Sequence, residues 1–243
     1  MKSFEERYFE LEEYSWWCRA RRDAIIRLVK TLKISNNSKI LEIGCSSGTL
    51  TKVLGSIGFN VYGIDRSKIA INLCKKRGLK NVFAMDGTKT RFGDAEFDAV
   101  IASDVLEHIK DERAAMNDWR RILKPRGILI IFVPAFKLLW SEHDENNRHY
   151  RRYSKDYLIG ILKKSNFNVE RASYWNFTLF FQASLVRIFQ HIFMKRRKQS
   201  FNRLYDISPV ANSFLVNLLK LENAYLEKFD FPVGVSIFAI ARK

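Results

Sequence analysis

The chain has 243 residues, 47% of them hydrophobic and 14% aromatic, with 42 Lys+Arg against 26 Asp+Glu and a net charge of +16. That apolar content excludes a disordered, collagenous or low-complexity chain and suffices for one buried core. The three cysteines, Cys18, Cys45 and Cys74, form no CxxC pair, which argues against a disulfide framework or structural zinc and for a reducing compartment.

At the N-terminus, Met1–Glu13 is acidic and aromatic with no apolar signal-peptide core, so a cytoplasmic location is expected. Tyr14, Trp16 and Trp17 precede Arg19, Arg21 and Arg22 and read as a helix within an N-terminal cap, residues 1–38. Such a helix either closes over a bound ligand or packs its aromatics on the sheet.

From Lys39 onwards, short apolar runs alternate with helical patterns. Ile40–Ile43, Val61–Ile64, Val82–Met85, Phe97–Ala102 and Ile128–Val133 read as buried strands. Thr49–Ser56, Ser67–Arg77 and Asp111–Leu123 read as helices, with Ser67 and Asp111 as N-caps and Pro125–Gly127 punctuating the approach to the fifth strand. Ser154–Lys164 follows as a helix capped by Ser154, Asn168–Tyr174 as a strand, and residues 235–241 as a last strand. The fold class expected is α/β, a doubly wound, mostly parallel seven-stranded sheet with a helical insertion before the last strand. A single domain divides into a core over 39–175, an insertion over 176–230 and the last strand over 231–243.

The insertion reads as two helices, about 176–198 and 209–229. In the first, Arg187, Gln190 and His191 oppose Phe181, Leu185, Ile188 and Ile192, and the basic run Lys195–Lys198 follows. A membrane span needs about 20 nearly uninterrupted apolar residues, more than this stretch supplies. Two readings stay open: an interfacial helix on anionic lipid, or a hairpin in which Phe214, Leu218, Leu221 and Tyr225 pack against the first helix. Either would wall a pocket. Residues 134–243 carry 18 basic and 9 acidic side chains, an excess suited to nucleic acid, an anionic membrane, an acidic small molecule or mere solubility.

The segment Glu42-Ile-Gly44-Cys45-Ser-Ser-Gly48 runs from a strand into a glycine turn at a helix start. There the backbone can approach a ligand closely, and free N–H groups favour anionic atoms. Asp65 closes the second strand, where a carboxylate can accept two hydrogen bonds from a ribose diol. A dinucleotide fingerprint would need glycine at 44, 46 and 49, but Ser46 and Thr49 stand at the last two.

This turn, Asp65, Asp86-Gly87 and the run FDAVIASDVLEH (97–108) together resemble the class I S-adenosylmethionine-dependent methyltransferases, closely over 39–133 and more weakly to 175. Ser46 replaces the middle glycine of that family's pattern. The resemblance implies a Rossmann-like fold with S-adenosyl-L-methionine as cofactor. Glu42, Gly44, Cys45 and Gly48 would lie along its methionine end, and Asp65 would hold the ribose, with Arg66 flanking the adenine. Asp86 would accept from the adenine amino group beside Gly87, with Ser103 under the sulfonium.

Methyl transfer to a hydroxyl needs alignment, dryness and a base. His108 and His149 are the candidate catalytic residues, His108 being either the base or a packed imidazole beneath the substrate loop. Asp104, Glu107 and His108 fall at i, i+3 and i+4, one face if that stretch is helical, and with His143 or His149 could ligate a divalent metal; the expectation adopted is no metal. The loop after the fifth strand offers His143, Arg151, Arg152 and Tyr153 to a phosphate or carboxylate of the acceptor, unless it is simply solvated. The expected activity is O-methylation of a small-molecule or lipid-linked acceptor, with peripheral contact at an anionic membrane. The alternatives are an RNA methyltransferase, or a cofactor-binding homologue without catalysis.

Overall fold

The computed structural model describes Phe9, residues 12–193 and residues 207–243. The basic run Lys195–Lys198, and with it the lipid-facing charge expected there, lies outside the described residues.

Seven strands form one sheet in the order β3-β2-β1-β4-β5-β7-β6. They are β1 (Lys39–Ile43), β2 (Asn60–Asp65), β3 (Val82–Ala84), β4 (Phe97–Ser103), β5 (Leu123–Pro134), β6 (Asn168–Trp175) and β7 (Ser236–Arg242). β1 to β5 pair in parallel, and β7 inserts antiparallel between β5 and β6. The expected mostly parallel sheet is therefore present. β5 begins before the Pro125–Gly127 break, because Leu123 pairs with Phe97 and a register shift then absorbs the irregular residues.

Both faces are covered, which explains the unbroken apolar runs. Along β4, Val100 and Ala102 point to one face and Ala99 and Ile101 to the other. The first face packs on α4 (Glu112–Ile122) through Ala115, Met116 and Trp119, and on α6 (Lys155–Lys164) through Leu158 and Leu162. The second packs on α1 (Trp16–Thr31) through Ala20, Ala24, Ile25 and Leu28, and on α2 (Thr49–Ser56) through Leu50 and Leu54. Each fully buried Leu, Ile or Phe contributes about 1.5–3 kcal/mol.

Hydroxyl and carboxylate caps set the helix starts as expected. Ser67 caps α3 (Lys68–Lys76), Asp111 caps α4 and Ser154 caps α6, each accepting a backbone N–H three residues on. The short α5 (Glu142–Asn146) begins in a capping box between Ser141 and Asp144.

α7 (Phe180–Phe193) and α8 (Pro209–Leu226) follow β6. α8 packs against α1 through Val216, Leu219 and Leu226, and Asn223 bonds the Trp175 indole, the Ala20 carbonyl and Asp23. The hairpin expectation is corrected here. Phe214, Leu221 and Tyr225 stay exposed, because the face of α8 that finds a partner is the one turned to α1.

The strand order reverses between β1 and β4. In open α/β sheets the ligand crevice opens at this point, outside the carboxyl ends of the strands.

Candidate active site

A cleft of about 1550 Å³ occupies that place, running from the β1 turn past the end of β4 to the start of α7. Its first half is built from backbone bends. Gly44 has φ +73°, and a Cβ there would lie 2.5 Å from Val105. At Gly87 a Cβ would meet Ile43 at 2.8 Å. Asp65, at the end of β2, accepts the N–H groups of Ser46 (3.0 Å) and Ser67 (2.8 Å), which orients its carboxylate along the crevice. Asp86 accepts from both the N–H and the hydroxyl of Thr88, which hold its carboxyl below the usual range. Glu42 lies under the turn, bonded to Thr51, and burial pushes its carboxyl up to about 8.

Glu42, Gly44, Asp65, Arg66, Asp86, Gly87 and Ser103 all line this half. Cys45 and Gly48 do not, which corrects their expected contact with the ligand. The Cys45 side chain turns inward onto Ile71, Cys74 and Val82. Gly48, at φ +75°, begins α2 in contact with Leu79 and Cys74, where a Cβ would fall within 2.4 Å of Leu79. Both shape the loop from behind. Glu12, outside the sequence motif, accepts from the Ser46 hydroxyl (2.7 Å) and the Ser47 N–H (3.3 Å).

In the second half, a 3-10 turn (Leu106–His108) follows Asp104, whose φ is +56°. His108 meets His149 edge to face, ring centroids 4.6 Å apart, and burial pushes His108 down to about 4. His149 Nδ1 lies 2.9 Å from the buried Asp144 carboxylate. Arg152 holds the same carboxylate from Nε (2.8 Å) and Nη2 (3.0 Å), and the Ser141 N–H donates to it at 2.9 Å. Burial alone would raise Asp144, but His149 and Arg152 keep it well below the usual carboxylate range. The Nδ1 contact with Asp144 leaves Nε2 as the ring nitrogen directed away from that carboxylate. One ligand atom each from Glu107, His108 and His149 lie within 4.8 Å of one another, a spacing that could also hold a divalent cation.

His108, His143, His149 and Arg152 line the cleft, but Arg151 and Tyr153 do not, a second correction. The segment 151–153 is extended, with Tyr153 bridging Ala135, so alternate side chains point opposite ways. Arg152 faces the cleft. Arg151 pairs with Glu112 and donates to the Lys110 carbonyl at 2.9 Å. Tyr153 is fully buried and donates to Glu112 at 2.6 Å. Both tie the loop to α4. The sequence reading missed Asp144, although the Ser141-x-x-Asp144 spacing is a capping-box signature that marks it as fixed.

A family profile described as a methyltransferase domain matches residues 16–172, more than half of the chain. The chain belongs to this methyltransferase domain family. Among curated proteins, it is 25% identical over 175 residues to the ubiquinone biosynthesis O-methyltransferase of Pelagibacter ubique, covering 63% of this chain and 73% of the relative. It is 30% identical over 112 residues to the protein of that name from Bartonella tribocorum, covering 44% of each. The match thus spans less than half the length of the Bartonella relative.

Among solved structures, a SAM-dependent methyltransferase from Archaeoglobus fulgidus superposes with a TM-score of 0.64 at 18% identity, covering 99% of this chain and 100% of that one. Haemonchus contortus phosphoethanolamine N-methyltransferase 2, in complex with S-adenosyl-L-methionine, gives 0.59 at 22% identity, covering 90% of this chain and 52% of that one. The methyltransferase domain therefore has the Rossmann-like methyltransferase fold expected. α8 and β7 lie beyond the matched residues, so the family match does not reach them.

Proposed function

We propose that this methyltransferase domain binds S-adenosyl-L-methionine between the β1 turn and Asp86, and methylates a hydroxyl oxygen of a small or lipid-linked acceptor held beside His149. The observation that carries the reading is the Asp144–His149 contact, which holds the His149 ring in the same cleft that Asp65 lines.

The residues present fit the cofactor. The Asp65 carboxylate is oriented along the cleft by the two N–H groups it accepts, and Gly44 and Gly87 line the same half, their lack of a Cβ making room for Val105 and Ile43. Glu42, Gly44 and Ser46 would hold the amino-acid end, Asp65 the ribose, and Asp86, Arg66 and Gly87 the base. Bound there, the cofactor supplies a methyl group on a sulfonium.

The chain's own residues supply the rest. Asp144 and Arg152 fix the His149 ring, and His149 Nε2 takes the acceptor hydroxyl proton as the oxygen becomes nucleophilic. His108, kept neutral by burial, adds no positive charge beside the reacting atoms. Trp17, Leu179 and Ala183 line the acceptor half and limit water there.

The acceptor is an apolar-bodied hydroxyl compound. Leu179, Ala183 and Val186 line the cleft where α7 begins, and the curated relatives are named for O-methylation in ubiquinone biosynthesis. These walls favour such a compound over RNA, which would call for an open basic groove. No described helix is long and apolar enough to cross a membrane. Exposed Phe181, Leu185, Ile188 and Phe189 on α7, next to a strongly basic C-terminal region, support peripheral contact with an anionic membrane. Transfer of labelled methyl from S-adenosyl-L-methionine to alkyl-substituted phenols tests the reading. Product methylated on oxygen supports it, and binding of the donor without transfer to any hydroxyl compound overturns it.

A further inference from the structure

The turn after β1 spends its backbone N–H groups within the chain. Those of Gly44 and Cys45 go to the Ile64 carbonyl (2.8 and 2.9 Å) and that of Gly48 to the Cys45 carbonyl (2.8 Å). The Ser46 N–H goes to Asp65 (3.0 Å) and the Ser47 N–H to Glu12 (3.3 Å). The Ser46 hydroxyl also donates to Glu12, at 2.7 Å. The free N–H groups expected at this turn are thus already engaged, and a ligand atom reaching this corner of the cleft meets acceptors instead.

Glu12 comes to this corner from outside the motif. It precedes α1 and residues 16–172, which the family profile matches, and it lines the cleft with Ser46 and Asp65. Both bonds from the turn reach its Oε2. The segment that carries it is tied down on both sides. Glu13 pairs with Arg77 at 3.0 Å, and Arg77 donates to the Ser47 carbonyl (3.1 Å) and hydroxyl (3.3 Å). Asn212 on α8 accepts the Trp16 N–H at 2.8 Å and donates to the Tyr14 carbonyl at 3.0 Å. Burial raises the Glu12 carboxyl above its ordinary value, by more than the Ser46 and Ser47 bonds and the Arg22 guanidinium lower it. A cation beside Glu12 would offset that cost.

We infer that Glu12 recognises the methyl donor, its carboxylate holding the α-ammonium of the methionine part. The inference rests on the proposed binding of S-adenosyl-L-methionine and adds to that site a residue outside the Glu42–Gly48 motif and outside the family match. Of the two charged groups at the methionine end, a carboxylate would be repelled by Glu12 and Asp65. An ammonium carries three N–H groups and the opposite charge, which strengthens each bond it makes to a carboxylate. A nucleoside that lacks the amino acid gains nothing from Glu12.

The test is Glu12→Gln in the full chain. Glutamine keeps a carbonyl oxygen for the Ser46 hydroxyl and the Ser47 N–H and removes the charge, and a melting curve without ligand shows the variant folded. Calorimetry with S-adenosylhomocysteine is set beside its displacement by 5′-methylthioadenosine, which carries the same nucleoside without the amino acid. S-adenosylhomocysteine should bind about tenfold or more weakly in the variant, while the affinity for methylthioadenosine stays within about threefold of the natural value. Glu13→Gln, which loosens the same segment from Arg77, should change the two affinities by the same factor. Equal losses for both ligands in Glu12→Gln, no loss, or tighter binding of S-adenosylhomocysteine overturns the inference and leaves the donor site in place. Absence of heat with S-adenosylhomocysteine on the natural chain would instead overturn the underlying reading.

Discussion

The Asp144 carboxylate sits 2.9 Å from His149 Nδ1, and two nitrogens of Arg152 hold it from the other side. This arrangement engages Nδ1 and leaves Nε2 as the nitrogen proposed to take the acceptor proton. His149→Gln should therefore lower kcat by about 100-fold or more while binding of S-adenosylhomocysteine persists. Asp144→Asn should lower kcat less, but it leaves the buried Arg152 without its counter-charge. It should also lower stability by about 3–5 kcal/mol, read by urea titration. Unchanged turnover in His149→Gln would remove the base assignment.

The Glu107–His108–His149 cluster gives an independent check on the same step. A histidine serving as base has its lone pair free, and a cation bound there would occupy it. Turnover should therefore survive dialysis against a chelator. Loss of activity restored by magnesium or manganese would transfer the role of those three side chains to metal binding.

His108 and His143 are each pushed down to about 4 by burial, from an ordinary value of 6.5. The native state keeps both neutral, whereas the unfolded chain takes up protons below 6.5. Stability from this source is intact above pH 6.5 and falls as the pH drops toward 4. Discounted for their partial exposure, the loss is on the order of 1–2 kcal/mol per histidine. Urea midpoints at pH 7.5 and 5 check it. His143→Gln should flatten the slope, and an unchanged slope would contradict the burial argument.

Two glycines should respond in opposite directions. Gly44→Ala places a methyl 2.5 Å from Val105 in a left-handed residue, so donor binding should weaken at least about tenfold and the melting temperature should fall. Gly55 lies inside α2 with nothing among the described residues within 4 Å of a Cβ. Gly55→Ala should therefore raise stability by about 0.5–1 kcal/mol. Thermal melts of the two variants read both signs.

The sheet was legible because its strands are covered on both faces and so read as continuous apolar runs, as β4 and β5 do. That Gly44, Asp65 and Asp86 share one cleft was legible because they stand at or just past strand ends, whose spacing survives folding. The acceptor half was harder to read. Whether Arg151 or Arg152 faces the cleft depends on one bridge, Ala135 to Tyr153, that no local pattern announces. Likewise, which stripe of α8 is buried depends on α1, nearly the whole chain away, with Asn223 reaching back to Ala20.

The crevice between the β1 turn and Asp65 is proposed to hold an adenosyl methyl donor. Calorimetric titration of S-adenosylhomocysteine into the natural chain and into Asp65→Ala tests it most directly. One molecule should bind per chain, about tenfold or more weakly in the variant. No heat with the natural chain, or equal affinity in the two, would contradict it.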